Sequence, residues 1–144
     1  MPIQSAMPYL FFSGTTQEAV RHYEKALGAK AEGMVTYGQM GGMDMDEAMK
    51  SRIANVTLKL GSATMMAGDT PPGKEASKVS NVEVCLGYDD ADEMRRHFDA
   101  LGQGGSITEP IALAPWGDLF GALTDRFGIR WMFIGPGSGA AAKS

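Results

Sequence analysis

Cysteine is almost missing from this chain: Cys85 stands alone among 144 residues. A single thiol excludes an intramolecular disulfide and suits a reducing cytoplasm, so a cytoplasmic protein is expected. Histidine is nearly as scarce, with only His22 and His97 present. No apolar stretch approaches the roughly 20 residues that span a bilayer, which argues against a membrane partner. The apolar start MPIQSAMPYLFF has no basic n-region ahead of it, so no signal peptide is expected. Positive charge is not in excess either. The formal net charge is −4, and no basic stripe exists to neutralise phosphates, which argues against nucleic acid. What remains is an ordinary globular composition, 44% hydrophobic and 21% charged, at a length that suits one domain. Methionine is the one surplus, at 11 residues; flexible thioethers suit irregular apolar pockets or plain core filling.

The chain contains the same unit twice. Residues 7–13 (MPYLFFS) read as a short aromatic strand, and Thr15 with Glu18 has the T-x-x-E spacing of a capping box. Ala19, Val20, Tyr23, Ala26 and Leu27 then form a stripe at helical spacing, and Gly28 stops the helix. In the second half, residues 81–88 read as a strand and Asp89 or Asp90 caps a helix. Ala91, Met94, Phe98 and Leu101 mark that helix's buried face. RHYEKALG at 21–28 corresponds to RHFDALG at 96–102 with one residue deleted. Arg96 follows Arg21 by 75 positions and Gly102 follows Gly28 by 74. Two copies are too few for a solenoid, so a duplicated module is the better reading.

Each helix is followed by three strand-like segments: 30–38, 51–60 and 62–67 in the first half, and 105–112, 118–124 and 129–134 in the second. The order βαβββ, twice, predicts an α+β architecture with helices on one face of each curved mixed sheet, around a cup. A single domain over 1–135 is expected, with module one at about 6–69, a Pro-Pro-Gly linker at 70–79 and module two at about 80–135. Residues 39–50 read as a Gly- and Met-rich loop in which DMDEAMK can form a helical turn. Residues 136–144 form a low-complexity flexible tail.

Four stretches carry a family resemblance: PYLFFSGTTQEAVRHYEKALGA at 8–29, LKLGSATMMAGD at 58–69, YDDADEMRRHFDALG at 88–102 and PWGDLFGALTDRFGIRWMF at 115–133. Through them the chain resembles the PhnB-like branch of the vicinal oxygen chelate (glyoxalase/bleomycin resistance/dioxygenase) superfamily. The resemblance implies a small-molecule cup and a homodimer. Nothing here resembles the Gly-rich loop of an adenosylmethionine-dependent methyltransferase, a label often attached to this branch. Metal-binding branches place one ligand on the first and one on the last strand of each module, His or Gln first and Glu last. Those positions fall here on Pro8 (or Met7 if the register slips by one), Met65, Glu83 and Met132. Asn55 stands where many relatives have a third-strand His. One carboxylate and two thioethers do not hold a hard divalent cation, so neither a metal nor another cofactor is expected. His22 and His97 occupy matching places in the two helices and read as half-exposed helix residues beside core aromatics.

Strand alternation sorts the remaining candidates by face. Ala54, Val56, Leu58 and Leu60 would pack under the first helix, turning Asn55, Thr57 and Lys59 inward. Val82, Val84 and Leu86 would pack under the second, turning Asn81, Glu83 and Cys85 inward; the family register turns Met132 inward as well. The expected lining is Asn55, Thr57, Met65, Glu83, Cys85 and Met132, with Trp116 at the mouth, a mostly apolar small-ligand site. Glu83, if desolvated among Met and Cys, suits a general acid or base; otherwise it pairs with Arg130 or Lys59 or is exposed at a strand end. Cys85 reads as a small buried hydrophobe. Trp116 either stacks on a planar ligand or packs at the turn after Pro115. Asp125 and Gly128 belong to a structural turn. These readings favour a metal-independent small-molecule-binding protein. The alternatives are a metal-independent isomerase or lyase using Glu83, or a cup filled by its own methionines.

Overall fold

Period-two burial in the strands and helical spacing between them build one unit twice. The computed structural model describes residues 2–41, 44–71 and 73–137; the tail residues 138–144 lie outside the described residues. The chain divides into two compact units, Met1–Lys78 and Val79–Ser144. The first unit runs β1 (Tyr9–Phe12), α1 (Thr16–Leu27), β2 (Lys30–Thr36), α2 (Tyr37–Met40), α3 (Glu47–Lys50), β3 (Ile53–Leu60) and β4 (Ala63–Asp69). The second runs β5 (Val84–Gly87), α4 (Ala91–Leu101), β6 (Ser106–Leu113), β7 (Asp118–Thr124) and β8 (Arg130–Pro136). Their sheets are ordered β1-β4-β3-β2 and β5-β8-β7-β6. In each, the first strand pairs parallel with the last and the others pair antiparallel. This is the α+β fold of two βαβββ modules expected from the sequence.

Each unit has its own core. In the first, Ala19, Val20, Tyr23, Ala26 and Leu27 of α1 are buried, as are Leu10, Phe12, Val56, Leu58, Met65 and Ala67 of the sheet. In the second, Met94, Phe98 and Leu101 of α4 are buried, with Leu119, Leu123, Trp131 and Phe133 of the sheet. Two glycines make room for that helix. A Cβ on Gly121 would lie 2.9 Å from Phe98 Cε1, and one on Gly135 would lie 2.5 Å from Met94 Sδ. Val82 departs from expectation: it is exposed and precedes β5, while Val84 and Leu86 are half-buried. Strand 30–38 ends early, because Thr36 caps α2 through a reciprocal bond with Gln39. Pro136 was assigned to the tail and instead closes β8.

Helix α1 is not capped as its T-x-x-E spacing suggests. Thr15 makes no side-chain cap. Asp69, at the end of β4, supplies the acceptor instead: its Oδ1 accepts from Gly14 N (2.9 Å), Thr16 N (3.1 Å) and Thr16 Oγ1 (2.7 Å). Its Oδ2 accepts from Ile53 N at 2.9 Å, and its carbonyl accepts from the Tyr37 hydroxyl at 2.9 Å. One buried carboxylate thus ties the start of α1 to the start of β3. Helix α4 follows the sequence more closely: Asp90 caps it by accepting from Asp92 N.

Candidate functional site

A sheet with helices on one side leaves its other side open, and in both units the candidate residues sort by that division. In the first unit, Val56, Leu58, Met65 and Ala67 share the helix side. The residues between them, Asn55, Thr57, Lys59, Thr64, Met66 and Gly68, share the open side. Asn55 and Thr57 therefore stand where the alternation places them, exposed and half-buried. Met65 does not. It is 2% exposed and opposite Leu58 in the core, so its expected place in the lining is corrected. The open-face residue is its neighbour Met66, paired with Thr57 on one side and Tyr9 on the other.

Tyr9 and Phe11, from the aromatic strand expected at 7–13, also belong to this open face. Their rings stack with centroids 4.6 Å apart and planes inclined 26°. Both remain accessible, at 37% and 50% exposed. The arrangement depends on Gly68, the β4 residue level with Phe11. A Cβ there would lie 2.9 Å from the Tyr9 hydroxyl and 2.5 Å from the Ala54 carbonyl. With no side chain in the way, the phenol crosses β4 and its hydroxyl donates to Ala54 O at 3.1 Å. Burial, then the neighbouring Tyr37, raises the Tyr9 pKa above its ordinary value, so the donor stays protonated at neutral pH. The sequence signal was available: alternation puts Tyr9 and Phe11 on the face opposite Leu10 and Phe12.

In the second unit, Cys85 and Met132 are direct partners on β5 and β8, and Ala122 lies opposite Met132 on β7. Phe120 and Ile134 extend that face. Trp116 lies in the β6–β7 turn, 64% exposed, with its ring edge-on to Phe120 at 6.2 Å. Glu83 lies one residue ahead of β5 and is exposed, outside the apolar setting among Met and Cys that its role as an acid or base needs. Among the described residues no ion pair joins it to Arg130 or Lys59.

Cys85 is exposed, not the small buried hydrophobe expected, yet partial desolvation by its neighbours raises its thiol above the ordinary 9.0. Less thiolate at neutral pH means a slow nucleophile. Iodoacetamide is expected to alkylate Cys85 more slowly at pH 8 than it alkylates N-acetylcysteine, with the rate still climbing above pH 9. A rate at pH 8 equal to the free thiol's would contradict the desolvated setting.

Neither histidine belongs to an open face. His22 is buried on α1 beside Tyr23, not half-exposed as expected. His97 is half-buried, its Nδ1 hydrogen-bonded to the Tyr88 hydroxyl at 2.8 Å. Tyr88 in turn stacks on Phe133, 5.7 Å between centroids. Asp125 closes the turn before β8, accepting from Phe127 N, Ile129 N and the Trp131 indole.

A family model for the Glyoxalase/Bleomycin resistance protein/Dioxygenase superfamily matches residues 7–133. The chain belongs to this superfamily. It is 29% identical to protein YjdN of Escherichia coli (strain K12) over 134 residues, covering 87% of this chain and 90% of YjdN. Protein PA1353 from Pseudomonas aeruginosa is similar in structure, with a TM-score of 0.84 and 32% identity over 94% of this chain and 100% of that one. The PhnB protein from Bacillus cereus has the same fold at 20% identity, with a TM-score of 0.75 over 92% and 99% of the two chains.

Membership raises the question of the metal found in other branches of the superfamily. The parallel registers Tyr9 with Met66 and Cys85 with Met132 are equivalent, which makes Met7 the counterpart of Glu83. The ligand positions are thus Met7 and Met66 in the first unit, Glu83 and Met132 in the second; Pro8 and Met65 are each one residue out. Three thioethers and one carboxylate do not fit a hard divalent cation. Among the described residues no group of three or more His, Cys, Asp or Glu side chains is placed to hold a metal ion.

Proposed function

We propose that this superfamily member is a metal-independent binding protein for a small, partly apolar molecule, taken up on the open faces of its sheets. The observation that carries the reading is the exposed Tyr9–Phe11 stack beside the accessible polar side chains of Asn55 and Thr57. Apolar and aromatic surface with a few hydrogen-bonding groups is the usual make-up of a small-ligand site. Met132, Cys85 and the exposed Trp116 give the second unit a similar surface. A homodimer in the cytoplasm completes the proposal. The lone thiol supports the compartment, and the prevalence of closed twofold dimers supports the assembly.

The test is a thermal-shift screen of the purified protein with divalent metals and a metabolite panel, alongside native mass spectrometry. A co-purified organic mass, or a melting rise with an organic ligand, is the expected result. At a hundredfold excess over Kd the ligand adds about 2.7 kcal/mol of stability. Stabilisation by Ni²⁺, Mn²⁺ or Zn²⁺ at low excess would reject metal independence. The rival reading, an isomerase or lyase using Glu83 as general acid or base, is weakened by that residue's exposure. Glu83→Gln separates the two. Binding survives it, whereas general-base catalysis drops on the order of 10² to 10⁴ fold.

A further inference from the structure

The open face of the first sheet is graded in polarity along β3. At one end, the Tyr9–Phe11 stack lies level with Asn55, because Phe11 pairs with Gly68 and the alternation sets Gly68 opposite Asn55. Thr57 follows. At the other end Lys59 lies directly opposite Lys30 of β2, and both are exposed. Like charges facing each other across an antiparallel pair are unfavourable unless something neutralises them. Glu32 shares the face, opposite Thr57. Among the described residues, however, neither lysine forms an ion pair with it or with any other carboxylate. Lys59 Nζ instead donates to Thr64 Oγ1 at 3.0 Å, which fixes its ammonium over the sheet. The face therefore has an aromatic end, a polar middle and a positive end with a net charge of its own.

From this we infer that the open face of the first sheet takes an elongated aromatic anion, with its ring on Tyr9–Phe11 and its acid group at Lys59 and Lys30. The inference rests on the binding reading above and names its ligand class. Strand spacing sets the length. Asn55 and Lys59 are four residues apart on one strand, roughly 13 Å; Thr64 holds Lys59 at its own level, so it is the Lys30 side chain, level with it on β2, that can reach back roughly 6 Å along the face. The acid must stand about 7 Å from the ring centre, the reach of an aryl group on a three-carbon chain. An acid attached directly to the ring falls short. The two ammonium groups give the complementary charge, and an anion between them relieves their repulsion. Asn55, exposed, and Thr57, half-buried, can hydrogen-bond a polar substituent along the way.

The experiment is calorimetric titration of the full chain with 4-(1-naphthyl)butyrate, its primary amide and 1-naphthoate. The butyrate should bind most tightly, with the amide and the short acid each about fivefold weaker or more. Phe11→Ala should weaken the butyrate about tenfold. Lys30→Gln with Lys59→Gln should remove the preference for acid over amide; all three positions are exposed, so these variants fold. Equal binding of acid and amide, or a preference that survives loss of both lysines, overturns the inference. So does a change in oligomer mass on Phe11→Ala with ligand binding untouched, since a second copy would then occupy the face. If the metabolite screen finds a ligand while the butyrate does not bind, the inference fails and the binding reading stands. If neither binds, both fail.

Discussion

Asp69→Ala is expected to destabilise the protein by about 4 kcal/mol, lowering Tm by roughly 10–15 °C in a thermal melt. The side chain of Asp69 accepts four hydrogen bonds, from Gly14 N, Thr16 N, Thr16 Oγ1 and Ile53 N. Alanine leaves those donors facing a cavity at a buried site, where each unsatisfied donor costs about 1–3 kcal/mol. Their full sum is not expected, because water can enter the cavity and satisfy some of them. Asp69→Asn is the informative control. Its carbonyl can keep the three bonds made by Oδ1, but its NH₂ then faces Ile53 N, donor against donor. It should fall about halfway between wild type and alanine. An alanine variant melting within about 2 °C of wild type would mean that Asp69 does not hold the start of α1.

Asp125→Ala should cost about 3 kcal/mol by the same route in the second unit, with denaturant unfolding as the readout. Asp125 is buried, and its Oδ1 accepts from Phe127 N and Ile129 N while its Oδ2 accepts from Trp131 Nε1 at 2.9 Å. Trp131 is fully buried, so its indole N–H depends on that oxygen. Trp131→Phe removes the N–H and shrinks the ring. In a double-mutant cycle the two substitutions should couple by about 1–2 kcal/mol, because the Asp125–Trp131 bond is lost in either single variant. Additivity within about 0.3 kcal/mol would place the cost of Asp125→Ala in the turn alone.

The site was less legible in the sequence than the fold. Asn55 and Thr57 were found because strand alternation is a local rule and β3 is long enough to show it. Met65 was misplaced by one residue, and in a strand one residue exchanges the faces. Its run ATMMAGD offers two adjacent methionines, and no local pattern says which of them meets Leu58. Glu83 was overvalued for a related reason. It lies just outside β5, so the ladder that would have carried it into apolar surroundings begins one residue too late.

By itself the sequence determined the duplication, the order βαβββ in each half, and the stripes of α1 and α4. All of these are properties of short windows or of residue chemistry, which periodicity and composition report directly. Only the tertiary structure decided that Asp69 caps α1 in place of Thr15, since its partners lie 16 to 55 positions away. The same holds for the Tyr9–Phe11 platform, which exists because Gly68 on another strand leaves the phenol room to reach Ala54. Such contacts depend on register between distant segments, and register is fixed only when the strands pair and one face is buried.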